Sequence, residues 1–269
     1  MIMKLMNKTP ERIRHDIKVR QLKVSAVRKV TPRMVRVTLR GAALEGFLSP
    51  SYDDHIKMFF PEPGQALTLP IGGPDGVKFP EDKPRPEARD YTPRYYRAGA
   101  NELDIDFVLH GDGPASSWAA QVEVGQDAVI AGPRGSTVIP LAYDWYLLVG
   151  DETALPAIGR RIEELPAGAR AIAILEVADA HEHQDFETAA DLEVIWLHRD
   201  GIEAGKADLL PRTVATRAFP EGDCYAFIAG ESTVSKAVRT ELEHRGFNKE
   251  WLKAAGYWLL GQADAHEPH

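Results

Sequence analysis

Between Gln21 and Ile139, apolar and polar residues alternate in short runs broken by turn residues. Leu22 to Val30 and Val35 to Leu39 read as strands joined at Thr31-Pro32. His55 to Phe60 alternates strictly, which places His55, Lys57 and Phe59 on one face and Ile56, Met58 and Phe60 on the other. Leu67 to Leu69 is expected to be a short strand, and the Pro-, Gly- and charge-rich segment from Pro70 to Glu87 a long loop. Strands resume at Tyr91 to Arg97, Glu102 to Leu109 and Asp127 to Ala131. This spacing predicts an antiparallel β-barrel.

After Leu141 the period changes. Trp145 to Val149 is an apolar strand, followed by a turn and a helix that carries Leu155, Ile158, Ile162 and Leu165 on one face. Ala171 to Val177, Leu192 to Leu197 and Tyr225 to Ala229 are further strands, the last leading into a helix with Val234, Val238 and Leu242 inward. Strands alternating with helices predict a doubly wound parallel sheet. The expected domains are residues 19–139 and 140–262, with an N-terminal extension over 1–18 and a frayed tail over 263–269.

The length, 269 residues, fits two domains, and 44% hydrophobic with 27% charged residues is an ordinary globular balance. No run approaches the length of a membrane span, and the start of the chain is too interrupted by Lys4, Lys8, Arg12 and Arg14 for a secretory signal. The single cysteine, Cys224, excludes a disulfide framework, so a reducing cytoplasm is the expected compartment. Residues 1–40 carry twelve Lys/Arg against Glu11 and Asp16, a net of +10, which leaves −18 of the overall −8 for the rest. Those basic residues alternate with apolar ones, as in Val35 to Arg40, so they read as the outer face of a strand and not as a nucleic-acid patch. A monomer is the default expectation.

Three stretches carry candidate chemistry. In Arg89-Asp90-Tyr91-Thr92-Pro93-Arg94, an aromatic ring, a hydroxyl and two guanidiniums match the flat ring, polar edge and diphosphate of a flavin nucleotide. A solvated edge strand is the competing reading. His110-Gly111-Asp112-Gly113-Pro114-Ala115-Ser116-Ser117-Trp118 combines a glycine turn with a helix start, a seat for phosphate; a plain helix-entry turn over a core Trp118 competes with it. Gly150-Asp151-Glu152-Thr153-Ala154-Leu155-Pro156 is a strand-to-helix turn of the kind that meets nucleotides, although Asp151 and Glu152 repel phosphate. Glu176 ends the next strand, where an acid accepts from a ribose, and Glu231 ends a later one. His181 and His183, among Glu182, Asp185 and Glu187, read as a solvated loop with only a faint metal-site pattern, and the two histidines of the tail have no ligand spacing.

Taken together and in register, these stretches resemble the siderophore-interacting protein family of FAD-dependent ferric-siderophore reductases, a branch of the ferredoxin–NADP reductase-like superfamily. Gly132-Pro133-Arg134-Gly135-Ser136, Ala229-Gly230-Glu231 and Gly256-Tyr257-Trp258 complete the resemblance, which runs from about Val19 to Gly261. It implies that Arg89, Tyr91, Thr92, Arg94, Asp106, Val108, His110, Gly113, Ala115 and Ser116 surround FAD. It further implies that Gly150, Asp151, Thr153, Ala154, Pro156, Glu176 and Glu231 surround NAD(P)H, and that Lys57, Arg134 and Trp258 line a pocket for an anionic ferric siderophore. The family commonly has basic residues after Tyr-Trp; here Tyr257-Trp258 runs into Leu259-Leu260-Gly261-Gln262. That departure favours a less charged hydroxamate chelate over a catecholate.

The expected activity is therefore reduction of Fe(III) in a siderophore, with electrons from NAD(P)H through FAD. A general NAD(P)H:flavin or quinone reductase and a non-catalytic siderophore carrier are the alternatives. Glu176 leans toward NADH, Arg160, Arg161 and Arg199 toward a 2′-phosphate, and a ferredoxin donor stays open.

Overall fold

The computed structural model describes residues 7–61, 65, 67–73, 76–111 and 113–262. They form two compact units, Pro10–Ile139 and a second comprising residues 7–9 with Pro140 onward. The tail histidines and Asp112 lie outside the described residues.

The first unit contains β1 (Glu11–Arg14), β2 (Val19–Thr31), β3 (Met34–Arg40), β4 (Ile56–Phe60), β5 (Ile71–Gly73), β6 (Gly76–Lys78), β7 (Glu87–Tyr91), β8 (Tyr95–Arg97), β9 (Glu102–Val108), α1 (Pro114–Gln121), β10 (Asp127–Ala131) and β11 (Gly135–Val138). Seven strands make one antiparallel sheet in the order β7-β4-β10-β2-β3-β9-β8, a half-barrel with β7 and β8 at its ends. Alternation puts Val35, Val37 and Leu39 of β3 and Leu103, Ile105 and Phe107 of β9 into one core with Ile56, Met58 and Phe60. Each such side chain contributes about 1.5–3 kcal/mol on burial. Phe59, on the other face of β4, packs instead with Val129, Ala131 and Phe79, as the alternation requires.

Three local expectations need correction. Leu67 to Leu69 is not a strand, and the expected long loop contains the hairpin β5–β6. The strand expected from Tyr91 to Arg97 is two strands, β7 and β8, parted at Thr92-Pro93-Arg94, because proline has no N–H to continue a ladder. Within the expected N-terminal extension, β1 pairs with β11, and a Cβ on Gly135 would lie 2.8 Å from the Ile13 carbonyl oxygen. The pairing depends on that glycine.

The second unit contains β12 (Trp145–Asp151), α2 (Leu155–Glu164), β13 (Arg170–Val177), β14 (Asp191–His198), α3 (Leu209–Thr216), β15 (Cys224–Glu231), α4 (Ser232–His244) and β16 (Leu252–Trp258). Its five strands are parallel, in the order β14-β13-β12-β15-β16. Leu147 and Val149 of β12 share a core with Leu210 and Val214 of α3 and Val238 and Leu242 of α4. The opposite face of β12 meets α2, where the Arg161 guanidinium lies 4.8 Å from the Tyr146 ring centre. Helices thus cover both faces, and the order reverses between β12 and β15, the switch point at which open α/β sheets take ligands. Among the described residues, no helix is long and apolar enough to cross a membrane.

Candidate functional site

In the first unit, β7 ends at Tyr91, within the Arg89–Arg94 stretch. Tyr91 turns inward, its ring 4.4 Å from Phe107 and 6.4 Å from Phe60, and Phe60 and Phe107 in turn pack on Trp118. Burial pushes the Tyr91 hydroxyl well above its ordinary value, so it remains protonated and able to donate. Thr92 follows, buried. Arg89 donates to Glu87 Oε2 at 2.9 Å and to the Ala88 carbonyl at 2.8 Å.

The polar face of β9 explains Arg94 and Asp106. The register sets Arg36 opposite Asp106, and the guanidinium donates to both carboxylate oxygens at 2.6 and 2.7 Å. Arg94 Nε lies 3.9 Å from the same carboxylate, with its guanidinium 4.1 Å from the Tyr95 ring centre. All three charged groups are buried. Asp106 is therefore a tether: it holds Arg36 and orients Arg94 at the end of the motif. Two guanidiniums share this one carboxylate. Val108, the last residue of β9, is half-buried opposite Met34.

The turn after β9 leads into α1. Gly111 is left-handed (φ +53°), whereas Gly113 is extended and a Cβ there would touch nothing. Thus only Gly111 of the two needs to be glycine. The His110 N–H donates to Ser116 Oγ at 2.9 Å, so that hydroxyl closes the turn. Pro114 opens α1, and the Ala115 and Ser116 N–H groups fall in its first turn, where no intrahelical acceptor exists. The first-turn N–H groups of α1 are donors of the kind a diphosphate takes, and the Thr92 hydroxyl is one a ring edge takes. The residues fit FAD.

The two cations expected at a chelate pocket differ. Lys57 is bound to Asp90 at 2.8 Å. Arg134 is exposed and makes no ion pair among the described residues; its carbonyl accepts from the His15 N–H at 2.9 Å. His15 Nε2 lies 2.8 Å from Ser136 Oγ, which donates to the buried Asp54 at 2.7 Å. This tie fixes the backbone around Arg134.

In the second unit, Gly150 of β12 is enclosed: a Cβ would lie 2.6 Å from Ala154 Cβ and 2.7 Å from the Ala229 carbonyl oxygen. Asp151 is buried and saturated. It accepts from the Thr153 N–H and hydroxyl, from the Glu231 N–H at 2.8 Å and from the Trp258 indole N–H at 2.9 Å. Burial, reinforced by Glu152, raises its pKa. Trp258 is thus tied to the end of β12 through its N–H. Glu231 caps α4 by accepting from the Val234 N–H at 2.8 Å and also holds the Leu260 N–H at 3.2 Å. The departing C-terminal run is anchored there. Ala154 and Pro156 form the entry to α2, with proline in the first turn where a missing N–H costs little.

Glu176 is buried beside Arg199, 3.4 Å from its Nη1. Arg199 in turn donates to both oxygens of Glu152, at 2.6 and 2.5 Å. Of the other arginines considered for a 2′-phosphate, Arg160 pairs with Glu164 at 2.6 Å and Arg161 lies over Tyr146. Burial pushes the Glu176 carboxyl from 4.5 up to about 7, with Arg199 opposing the shift. The native state therefore binds more protons than the unfolded chain between these values. Stability from this group is fullest below pH 4.5 and is lost as pH rises through 7. Glu176→Gln is expected to remove a loss of roughly 2 kcal/mol between pH 5 and 8, read by urea unfolding; an unchanged pH slope would count against it.

Arg36 and the Arg199–Glu152 pair were not placed by sequence motifs. Their partners lie 70 and 47 positions away, so only the strand register brings them together. Near His183, the expected solvated loop is more ordered than its composition suggests. Glu182 is buried, and His183 stacks on Trp196 and contacts His198 at 2.7 Å. No metal-holding group of His, Cys, Asp and Glu exists among the described residues.

Comparison with known proteins agrees with this architecture. The family model described as siderophore-interacting FAD-binding domain matches residues 23–137, and that described as siderophore-interacting protein matches 143–261. The chain is 36% identical over 260 residues to the NADPH-dependent ferric-chelate reductase of Escherichia coli, covering 94% of this chain and 99% of that one. It is 38% identical over 239 residues to the ferric vibriobactin reductase ViuB of Vibrio cholerae, covering 87% and 86%. A siderophore utilization protein from T. fusca superposes with a TM-score of 0.88 at 40% identity, covering 95% and 98%. With both units matched and relatives of this identity aligned over nearly their whole length, the chain belongs to the siderophore-interacting protein family.

Proposed function

We propose that this protein is an FAD-dependent reductase of ferric siderophores, with NAD(P)H as the electron donor. The observation that carries this reading is the near-full-length similarity to a relative named as an NADPH-dependent ferric-chelate reductase. The flavin motif and the phosphate turn both fall inside the FAD-binding family match. Arg94, Thr92 and the first-turn N–H groups of α1 would hold FAD, with Arg36 and Asp106 fixing Arg94 in place. Bound FAD supplies the conversion between a two-electron nicotinamide donor and a one-electron iron acceptor.

The chain's own residues supply position and charge. Arg134 attracts an anionic chelate, while Lys57, already paired with Asp90, adds less. With Lys57 already paired, a chelate of low negative charge such as a hydroxamate suits the remaining charge best. Hard oxygen donors favour Fe(III), so reduction weakens the complex and releases iron.

The test is an anaerobic titration of the purified protein followed by its visible spectrum. NADH or NADPH should bleach the flavin, and a ferric hydroxamate should restore it with Fe(II) trapped by an indicator. Bleaching without reoxidation by any ferric chelate would assign a different acceptor. No bleaching by either nucleotide would assign a protein donor. A colourless protein that binds the ferric chelate would make it a carrier.

A further inference from the structure

The carboxyl edge of the parallel sheet holds one arginine whose anion partner comes from the chain itself. Arg199 follows β14, and its backbone N–H donates to the Val177 carbonyl at 3.0 Å, so it sits directly beside Glu176 at the end of β13. Its side chain is 3% exposed, against 16% for Glu152, which covers it. Glu152 takes both Nη1 and Nη2 in the two-pronged geometry that a phosphate also offers. Two atoms of this buried cluster remain without a partner: Arg199 Nε and Glu176 Oε2. Buried polar groups are nearly always satisfied, so this donor and this acceptor can take a partner from outside the chain.

Position says which ligand. In a doubly wound sheet, the acid at the end of the second strand accepts from the adenosine ribose, and an arginine nearby accommodates a 2′-phosphate. Glu176 and Arg199 occupy these two places. Asp151 does not compete with them, because the Thr153, Glu231 and Trp258 donors occupy its carboxylate.

Resting on the proposed nicotinamide role of this unit, we propose that Glu152 is an internal stand-in for the adenosine 2′-phosphate of NADPH. It keeps the Arg199 fork closed, and a nucleotide carrying that phosphate must displace it. A nucleotide with a free 2′-hydroxyl leaves the pair closed and uses the open oxygen of Glu176. Glu152 is then the residue that sets coenzyme preference: the more firmly it holds Arg199, the more the site favours NADH.

The experiment measures binding, so it needs no turnover. The FAD-loaded protein is titrated calorimetrically with 5′-AMP and with 2′,5′-ADP, for the wild type, Glu152→Gln and the double variant Glu152→Gln/Arg199→Lys. Glu152→Gln should raise the affinity ratio of 2′,5′-ADP over 5′-AMP by about tenfold, the scale of one charged contact. Arg199→Lys in that background should abolish the gain, and Glu176→Gln should weaken 5′-AMP. Glu152→Asp, which keeps the charge but shortens its reach, should move the ratio the same way by less; it is the readout if Glu152→Gln does not fold. If both nucleotides bind and the ratio does not move, the inference is overturned while the nicotinamide role stands. If neither nucleotide binds any variant, the nicotinamide role itself falls, and the inference with it.

Discussion

Asp106→Ala is expected to lower the unfolding free energy of the antiparallel unit by about 3–5 kcal/mol, the usual cost of breaking a buried pair from one side. The reason is the arrangement around β9. Arg36 spends two N–H groups on Asp106, and Arg94 leans on the same carboxylate while lying on Tyr95. Removing that carboxylate takes the two-pronged partner from the buried Arg36 and the anion that Arg94 shares with it. The variant should also lose FAD, since Arg94 would no longer be held at the end of the flavin motif. Urea unfolding reads the first effect, and the flavin retained after gel filtration reads the second. Asp106→Asn should retain part of the bonding and fall between. A loss under 1 kcal/mol in the alanine variant would show that the pair is dispensable.

The second large effect is steric. Gly150→Val should destabilise the parallel unit by about 3 kcal/mol or more, because a branched side chain is forced into a closed space. The first carbon alone would meet Ala154 Cβ, the Ala229 carbonyl oxygen and Ile158 Cδ1 at 2.6, 2.7 and 3.0 Å. None of these can retreat: β15 lies on one side and the start of α2 on the other. Gly113→Ala provides the control, since its backbone is extended and its surroundings are open; as the N-cap of α1, where alanine is a poor residue, it should cost no more than about 1 kcal/mol. Thermal unfolding of the two variants side by side checks both. Equal midpoints would mean that α2 can shift away from the sheet.

Much of the architecture was legible in the order of residues because periodicity is local. The alternation at His55 to Phe60 and the helical spacing of Leu155, Ile158 and Ile162 each specify a buried face within a few residues. The places where that logic failed have local causes too. Pro93 divides a run whose side chains look strand-like throughout, and the β5–β6 hairpin hides in a stretch with the composition of a loop. The short β1 carries no strong pattern of its own and exists by pairing with β11.

The candidate site divides in the same way. Motifs such as Arg89 to Arg94, His110 to Ser116 and Gly150 to Pro156 are contiguous because each is one turn at the end of one strand, and a turn's backbone needs are met by neighbouring residues. By itself, the sequence determined the two-unit plan, the flavin and nucleotide motifs and the family resemblance. Only the tertiary structure decided what each charge does. It tied Asp106 to Arg36, closed Asp151 with Trp258 and Glu231, spent Lys57 on Asp90 and set Glu152 across Arg199. A charge's role depends on which opposite charge lies within a few ångströms. Strand register brings such partners together from distant parts of the chain, and no local pattern encodes it.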